Sequence, residues 1–308
     1  MDEYRLLVEK TAAGQRLDLF LTENIEEMTR SRAQKLIKSG VVQIGAVPVT
    51  QPKKALVEGD EVTLSTETKR VSSQPEADSS IHLDIVYEDD NFLVINKPAG
   101  IVVHPDRNYP DKTILNGLLD YDPDLTEVMR GGIVHRLDKD VSGLLLVGRN
   151  NGAVSFLKKQ FVNREMHKEY IALVHGVMSK PEGEIRLAIS RSKTDPRKMA
   201  AHPASSPQAD DREALTFYHV LKNYERYTLL QVRIATGRTH QIRVHLSAIG
   251  HPIVGDVVYK PASLKTRKEL GRLFLHASVL RFKNPEGEEM KFELPLPEKL
   301  ANFLQNLA

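Results

Sequence analysis

The sequence predicts an α+β chain in two parts: a small module over residues 1–70 and a larger domain over 81–308, joined by a linker over 71–80. Three observations carry this. At 308 residues the chain exceeds one average domain and can bury a large core, so one large domain with a small companion is the natural division. Residues 66–80 are polar, carry no periodic apolar positions and contain Pro75, which reads as a linker. On either side, apolar residues recur with the period of two of strands in some segments and at helical spacing in others, with no repeat of the solenoid kind.

In the first part a short helix opens after Gly14 and carries Leu17, Leu19, Phe20 and Leu21. A second is capped by Thr29 or Ser31, has Ala33, Leu36 and Ile37 as its apolar stripe, and ends at Gly40. Val41, Val42 and Ile44 read as a strand, Gly45 as a turn and Val47 to Val49 as the return; Glu58-Gly59-Asp60 turns the chain again before Val62 and Leu64. From Ile81 the strand period takes over, with Leu83, Ile85 and Tyr87 alternating with polar partners and Phe92 to Ile95 as a buried run. Asn96 to Gly100 reads as a loop, because Pro98 disfavours helix at Lys97 and Gly100 permits positive φ. Val102 and Val103 are expected to resume the strand, and 113–120 to form a short helix. Val154, Leu157 and Phe161 lie at helical spacing within 151–163, and strand period returns from Lys168 to Val174. Residues 192–211, rich in Pro, Ser, Ala and charge, are expected as a long mobile loop. Two strands follow within 213–235, then a helix through Ile242 and Leu246 capped by Thr236 to Thr239. A hairpin of Phe274–Phe282 with Met290–Leu294 and an amphipathic helix over 297–307 close the chain.

Hydrophobic residues at 41% and charged residues at 27% fit a globular enzyme, and no apolar run approaches the length that spans a bilayer. The N-terminal residues lack a cationic region followed by an apolar core, so no secretory signal is expected and the cytoplasm is the default location. With no cysteine, disulfides, iron–sulfur clusters and thiolate zinc sites are excluded. The histidines do not pair at helical spacing with an acidic partner, so no metal site is expected, and no nucleotide-binding glycine loop is present. The net charge of +2 announces no nucleic-acid partner by itself. Its distribution does more. No acidic residue stands between Glu27 and Glu58, while Arg30, Arg32, Lys35, Lys38, Lys53 and Lys54 fall inside that window. They form either a platform for phosphates or a solvated basic face.

Chemistry is expected in residues 131–147, where a carboxylate lies between glycine punctuation and a buried apolar run. Ile133 and Val134 read as the end of a strand, Leu144 to Val147 as the start of another, with a sharp turn at Ser142-Gly143. If Arg136 to Asp138 is extended, Arg136 and Asp138 share one face and His135 and Leu137 the other. Burial opposes ionisation of a carboxylate and a paired arginine restores it, fixing its orientation with parallel hydrogen bonds. Arg136, Lys139 and Arg243 are candidates for that partner. On these residues alone Asp138 is a turn cap or surface ion-pair member as readily as a catalytic group, and Tyr170 an ordinary core tyrosine.

Two resemblances add to this. Residues 14–65, with Gln15-Arg16-Leu17-Asp18 and Ser31 to Gly40, are similar to the alpha-L RNA-binding module, departing from it at Gln43-Ile44-Gly45. His135-Arg136-Leu137-Asp138 with Ser142-Gly143, Lys168-Glu169-Tyr170, Gly237 to His245, Asn96 to Gly100 and Leu275-His276-Ala277 resemble the signature motifs of the RluA-type RNA pseudouridine synthases, in order and over 81 to about 295. Val141 departs where that family often has Thr, and Lys283-Asn284-Pro285 replaces the more usual His-Pro.

The resemblance implies a bent, mixed, mainly antiparallel sheet with flanking helices, acting on RNA as an isomerase without cofactor. It implies Asp138 as the nucleophile that lets uracil detach and rejoin through C5, Arg243 as its salt-bridge partner and Tyr170 as the ring that stacks on the base. Arg136 would enter the RNA where the uridine has left. Arg238 and His240 are expected as RNA contacts, as are Arg30, Arg32, Lys35, Lys38 and Lys53 of the module. The alpha-L module points to large-subunit ribosomal RNA as substrate, and nothing in the sequence demands more than a monomer. The alternatives are a transfer-RNA enzyme and a non-catalytic RNA-binding assembly factor.

Overall fold

The computed structural model describes residues 3–25, 28–65, 75–106, 108–195, 197–203, 205–260 and 270–307. The chain divides into two compact units, Met1–Gln74 and Pro75–Ala308. Of the stretch expected as a linker, residues up to 74 lie outside the described ones. Residues 75–80 belong to the second unit, where the Asn116 side chain donates to the Glu76 carbonyl (2.7 Å) and the Asp78 N–H donates to the Asn116 carbonyl (3.0 Å).

The first unit is a four-stranded antiparallel sheet of β1 (Glu3–Leu7), β2 (Val42–Ile44), β3 (Val47–Pro48) and β4 (Glu61–Ser65), with helices α1 (Leu17–Asn24) and α2 (Arg30–Lys38). The strand order is β1-β4-β2-β3. Leu17, Leu21, Ile37 and Val62 are fully buried between the layers. The Thr29 hydroxyl accepts from the Arg32 N–H and caps α2, meeting an otherwise orphan helix donor. Asp18 ties the two helices together. Burial works against its charge, yet hydrogen bonds from Arg16, Gln34 and Arg30 hold its carboxyl down at about 2.

The second unit contains β5 (Ile85–Glu88), β6 (Phe92–Lys97), α3 (Ile114–Tyr121), β7 (Ser142–Gly148), α4 (Asn151–Val162), β8 (His167–His175) and β9 (Glu182–Arg186). There follow β10 (Ala188–Arg191), β11 (Met199–His202), β12 (Leu215–Asn223), β13 (Tyr227–Ile234), α5 (Gln241–Ala248), β14 (Leu275–Lys283), β15 (Glu289–Glu293) and α6 (Glu298–Gln305). Its nine-stranded mixed sheet runs β5-β6-β7-β14-β8-β13-β12-β9, with β15 added to β14. Every pairing is antiparallel except β7 with β14, a parallel seam of two residue pairs, His276 with Ser142 and Ala277 with Gly143. The main core, including Ile95, Leu145, Leu173, Leu230 and Phe274, follows this sheet. Among the described residues no helix is long and apolar enough to cross a membrane.

Four local expectations are corrected. Val102 and Val103 form no strand; their carbonyls instead accept the N–H groups of Ile114 and Leu115 (2.9 and 3.1 Å), which the first turn of α3 leaves without helical acceptors. Residues 192–211 are not loop throughout, because Met199 to His202 pair with Ala188 to Arg191, and Met199 and Ala201 pack against a cluster of Ile189, Val244 and Tyr259. Ile133 makes one isolated bridge, to Val147, rather than ending a strand. The turn before β7 falls at Lys139-Asp140, not at Ser142-Gly143.

Gly143 serves the seam instead. Its φ is +117°, and a Cβ there would lie 2.1 Å from the Ala277 carbonyl oxygen and 2.7 Å from the Ala277 nitrogen. Only glycine lets the two backbones meet at that point. Gly143→Ala is therefore expected to destabilise the protein by more than about 2 kcal/mol in denaturant unfolding, through strain and backbone clash; a wild-type unfolding midpoint would contradict this.

Candidate active site

The segment bearing Asp138 is irregular and is held by a buried ammonium. Lys97, at the end of β6, is fully buried, and its Nζ donates to the carbonyls of Pro98 (2.6 Å), Ile101 (2.9 Å) and Lys139 (3.1 Å). The Gly100 N–H also donates to the Lys139 carbonyl (2.8 Å), and the Val141 N–H closes a turn onto the Asp138 carbonyl (3.1 Å). Burial pulls the Lys97 pKa down to about 7, against the opposing charges of Asp140 and Asp138. The alternation expected from the sequence is kept in part, since Leu137 also borders the cleft. Arg136 and Asp138 line the cleft, while Leu137 enters the core and His135 accepts the Leu146 N–H at Nε2 (2.9 Å).

Asp138 meets Arg243 across the cleft. Arg243 lies on α5 with its side chain buried, and its Nη1 donates to Asp138 Oδ2 at 3.3 Å. Its other edge is taken up by Asp256, on the return from that helix, with Nε to Oδ2 at 2.7 Å and Nη2 to Oδ1 at 3.0 Å. This fork-to-fork geometry fixes the guanidinium plane and turns Nη1 toward Asp138. Asp256 is itself fixed, accepting the N–H groups of Val258 (2.8 Å) and Tyr259 (3.0 Å). Burial opposes both charges, but the pairing prevails: the Asp256 carboxyl sits below its ordinary pKa and the Arg243 guanidinium above its own. Tyr259 lies under Arg243, with the guanidinium carbon 5.2 Å from its ring centroid, and its hydroxyl bonds His240 Nδ1 (2.8 Å) and the Met199 N–H (2.8 Å).

The remaining predicted residues of the second unit line the same cleft. Tyr170 is buried on β8 at the centre of the sheet, between Ala277 of β14 and Val232 of β13. Burial, then the nearby Asp138 charge, raises its phenol pKa. Arg136 and Arg238 stand at the rim, the Arg238 Nε donating to the Glu213 carbonyl (3.1 Å). His240 turns inward. It occupies the left-handed position before α5 (φ 56°), where it rather than Thr236 to Thr239 is the capping residue, and its Nε2 is 4.0 Å from Asp138 Oδ2. Burial lowers its pKa. In the first unit Arg32, Lys35, Lys38 and Lys53 are exposed, and Arg30 is exposed but also reaches Asp18 (3.4 Å).

Sequence reasoning missed Asp256 and Tyr259, giving neither a task. The only signal available was an acid following Gly255, whose φ of +78° and 1.9 Å Cβ approach to the Arg272 carbonyl mark a special backbone. It also gave no task to Lys97, whose burial only the fold reveals.

An oriented carboxylate beside an aromatic wall, entered past arginines, suits attack on or proton transfer from a polyanionic substrate; this is the site of a nucleic-acid-modifying enzyme rather than a binding surface. Comparison with known proteins gives the particular class. The family model for RNA pseudouridylate synthase matches residues 91–248, and the chain belongs to the RNA pseudouridine synthase family. It is 39% identical over its full length, and 99% of the relative's, to the uncharacterized RNA pseudouridine synthase YlyB of Bacillus subtilis. It is 39% identical to ribosomal large subunit pseudouridine synthase D of Vibrio parahaemolyticus, covering 97% of this chain and 93% of that one. Among solved structures, human RNA pseudouridylate synthase domain containing 1 superposes with a TM-score of 0.58 at 29% identity, covering 75% of this chain and 97% of the human one. The protein is an isomerase that acts on RNA.

Asp256→Asn keeps the shape of the clamp but removes its charge and one acceptor. It is expected to lower kcat about 100-fold while KM stays within about threefold, as for loss of positioning rather than binding; an unchanged kcat would contradict the clamp. A pH effect on stability follows from two other buried imidazoles. Burial, then Lys168, takes His135 to about 3, and burial, then Arg272, takes His276 to about 4, against 6.5 when unfolded. Below pH 6.5 the unfolded chain binds protons that the folded one refuses, so stability falls as pH drops toward 4. The melting temperature should decline between pH 6.5 and 5, above the carboxylate range, and His135→Gln should flatten that decline; a flat wild-type profile would rule the effect out.

Proposed function

We propose that the protein converts uridines of large-subunit ribosomal RNA to pseudouridine, with Asp138 as the nucleophile. The observation that carries this reading is one carboxylate aimed into a cleft by an arginine that a second carboxylate holds. The substrate class is supported by relatives named for the ribosomal large subunit, 37–39% identical over 96–97% of this chain.

In this reading a target uridine leaves its helix and enters past Arg136, whose guanidinium fills the vacated place. Asp138 attacks at or near the sugar carbon that bears the uracil, and the bond from that carbon to N1 breaks. The base turns and rejoins through C5 as the bond from that carbon to Asp138 breaks and frees the carboxylate; C5 loses its proton and N1 gains one, so atoms and electrons balance. The change is redox-neutral and transfers no phosphate, so it needs no cofactor. Tyr170 supplies a stacking platform, an interaction of roughly 1–3 kcal/mol. With its pKa raised, it stays a neutral phenol at pH 7, which favours the platform role over that of a base. Arg32, Lys35, Lys38 and Lys53, with Arg30, dock the RNA through phosphates, making residues 1–70 an RNA-binding module. A monomer in the cytoplasm suffices.

Ribosomal RNA carrying tritium at uracil C5 should lose its label to water when incubated with the protein; no release would overturn the reading. Asp138→Asn should reduce release by on the order of 1000-fold or more, and release at the wild-type rate would remove Asp138 from its role. Replacing Arg32, Lys35 and Lys38 together by Gln should raise KM and flatten its dependence on log salt by about two, with kcat unchanged. An unaltered salt slope would exclude phosphate docking there.

A further inference from the structure

Lys168 is a cleft residue to which the chemistry above gives no task. Strand alternation places it on the same face of β8 as Tyr170, and both line the cleft with Asp138, Arg238 and Gly237. The neighbouring His167 and Glu169 turn to the opposite face, where they pair with each other at 2.5 Å and Glu169 also accepts from Gln231. Its Nζ lies 4.9 Å from the Phe161 ring centroid and 3.7 Å from where a Cβ on Gly237 would stand. Among the described residues no carboxylate or carbonyl pairs with that ammonium.

Lys168 is half-buried, and a cation drawn partly out of water with a ring but no anion beside it carries a cost that an arriving anion removes. Burial alone draws its pKa to about 8, still charged at neutral pH. Residues two apart on a strand are separated by about 6.6 Å, so the ammonium stands beside the base platform. The anion that the rim arginines already admit there is a phosphodiester. We infer that Lys168 and the glycine turn at Gly237 form a phosphate subsite, which receives a backbone phosphate of the RNA flanking the everted uridine. Lys168 is then a positioning residue rather than a catalytic one, and Gly237 leaves room for the phosphate beside the ammonium. The inference rests on the RNA-isomerase reading of this cleft.

The test uses the full chain and in vitro transcribed large-subunit ribosomal RNA labelled with tritium at uracil C5. Lys168→Gln should raise KM about tenfold or more, leave kcat within about threefold and reduce the slope of log kcat/KM against log salt by about 0.7 to 0.9, with Lys168→Arg restoring most of both. A wild-type KM and salt slope in Lys168→Gln would overturn the subsite. So would a collapse of kcat at unchanged KM, which would put Lys168 in the chemistry. Should Lys168→Gln not fold, the wild-type protein is treated with an amine-acetylating reagent with and without the RNA, and modification at residue 168 is read by mass spectrometry. Protection by RNA that fades with added salt is expected; equal modification in both samples would overturn the proposal. Absence of tritium release from wild type would instead count against the RNA-isomerase substrate reading, while the acetylation result would still decide the subsite.

Discussion

The site depends on how one guanidinium is shared between two carboxylates. Arg243 gives its bidentate edge to Asp256 and its remaining Nη1 to Asp138, so the partner of Asp138 has its plane fixed before any substrate arrives. One buried and one half-buried anion share one cation, and an ion pair so placed would gain little over apolar packing. The arrangement makes sense as preorganisation. The better pair, at 2.7 and 3.0 Å, anchors the arginine, and the looser one, at 3.3 Å, holds Asp138 less firmly, which suits the nucleophile proposed above.

The fold brings these three groups together through one feature, the parallel seam of β7 and β14. Asp138 precedes β7, Arg243 and Asp256 arrive through α5 and its return, and the seam sets the end of β7 at the sheet's centre beside Tyr170. Gly143 lets the backbones meet, and at the same junction the Ser142 hydroxyl contacts His276 Nδ1 (2.9 Å) and accepts from Arg272 (2.7 Å). Lys97 then holds the Asp138 turn by its carbonyls rather than by its side chain, so the carboxylate stays free for the cleft.

Much of this was legible in the residues. Periodicity located α3, α4, β13 and α6 through the spacing of their apolar positions, and β6 was legible as a continuous apolar run. The motifs marked Asp138, Tyr170, Arg243, Arg136, Arg238 and His240, and all six line one cleft. What stayed hidden was set by tertiary contact. Val102 and Val103 have strand-forming side chains, but their carbonyls answer to the N-terminus of α3. Met199 to His202 sit in a segment of loop-like composition, yet pair because Ile189 and Tyr259 offer an apolar surface. Asp256 resembles any turn acid until Arg243 is seen against it, and Lys97 any surface lysine until three carbonyls surround it.

The central claim, that Asp256 acts only by orienting Arg243, is tested most directly by a double-mutant cycle on kcat with Asp256→Asn and Arg243→Lys. Lysine cannot form the fork, so nothing remains for Asp256 to orient, and the double variant should be no slower than Arg243→Lys alone. If the two losses multiplied instead, Asp256 would act on the reaction independently of Arg243, and its role as the clamp of that guanidinium would be refuted.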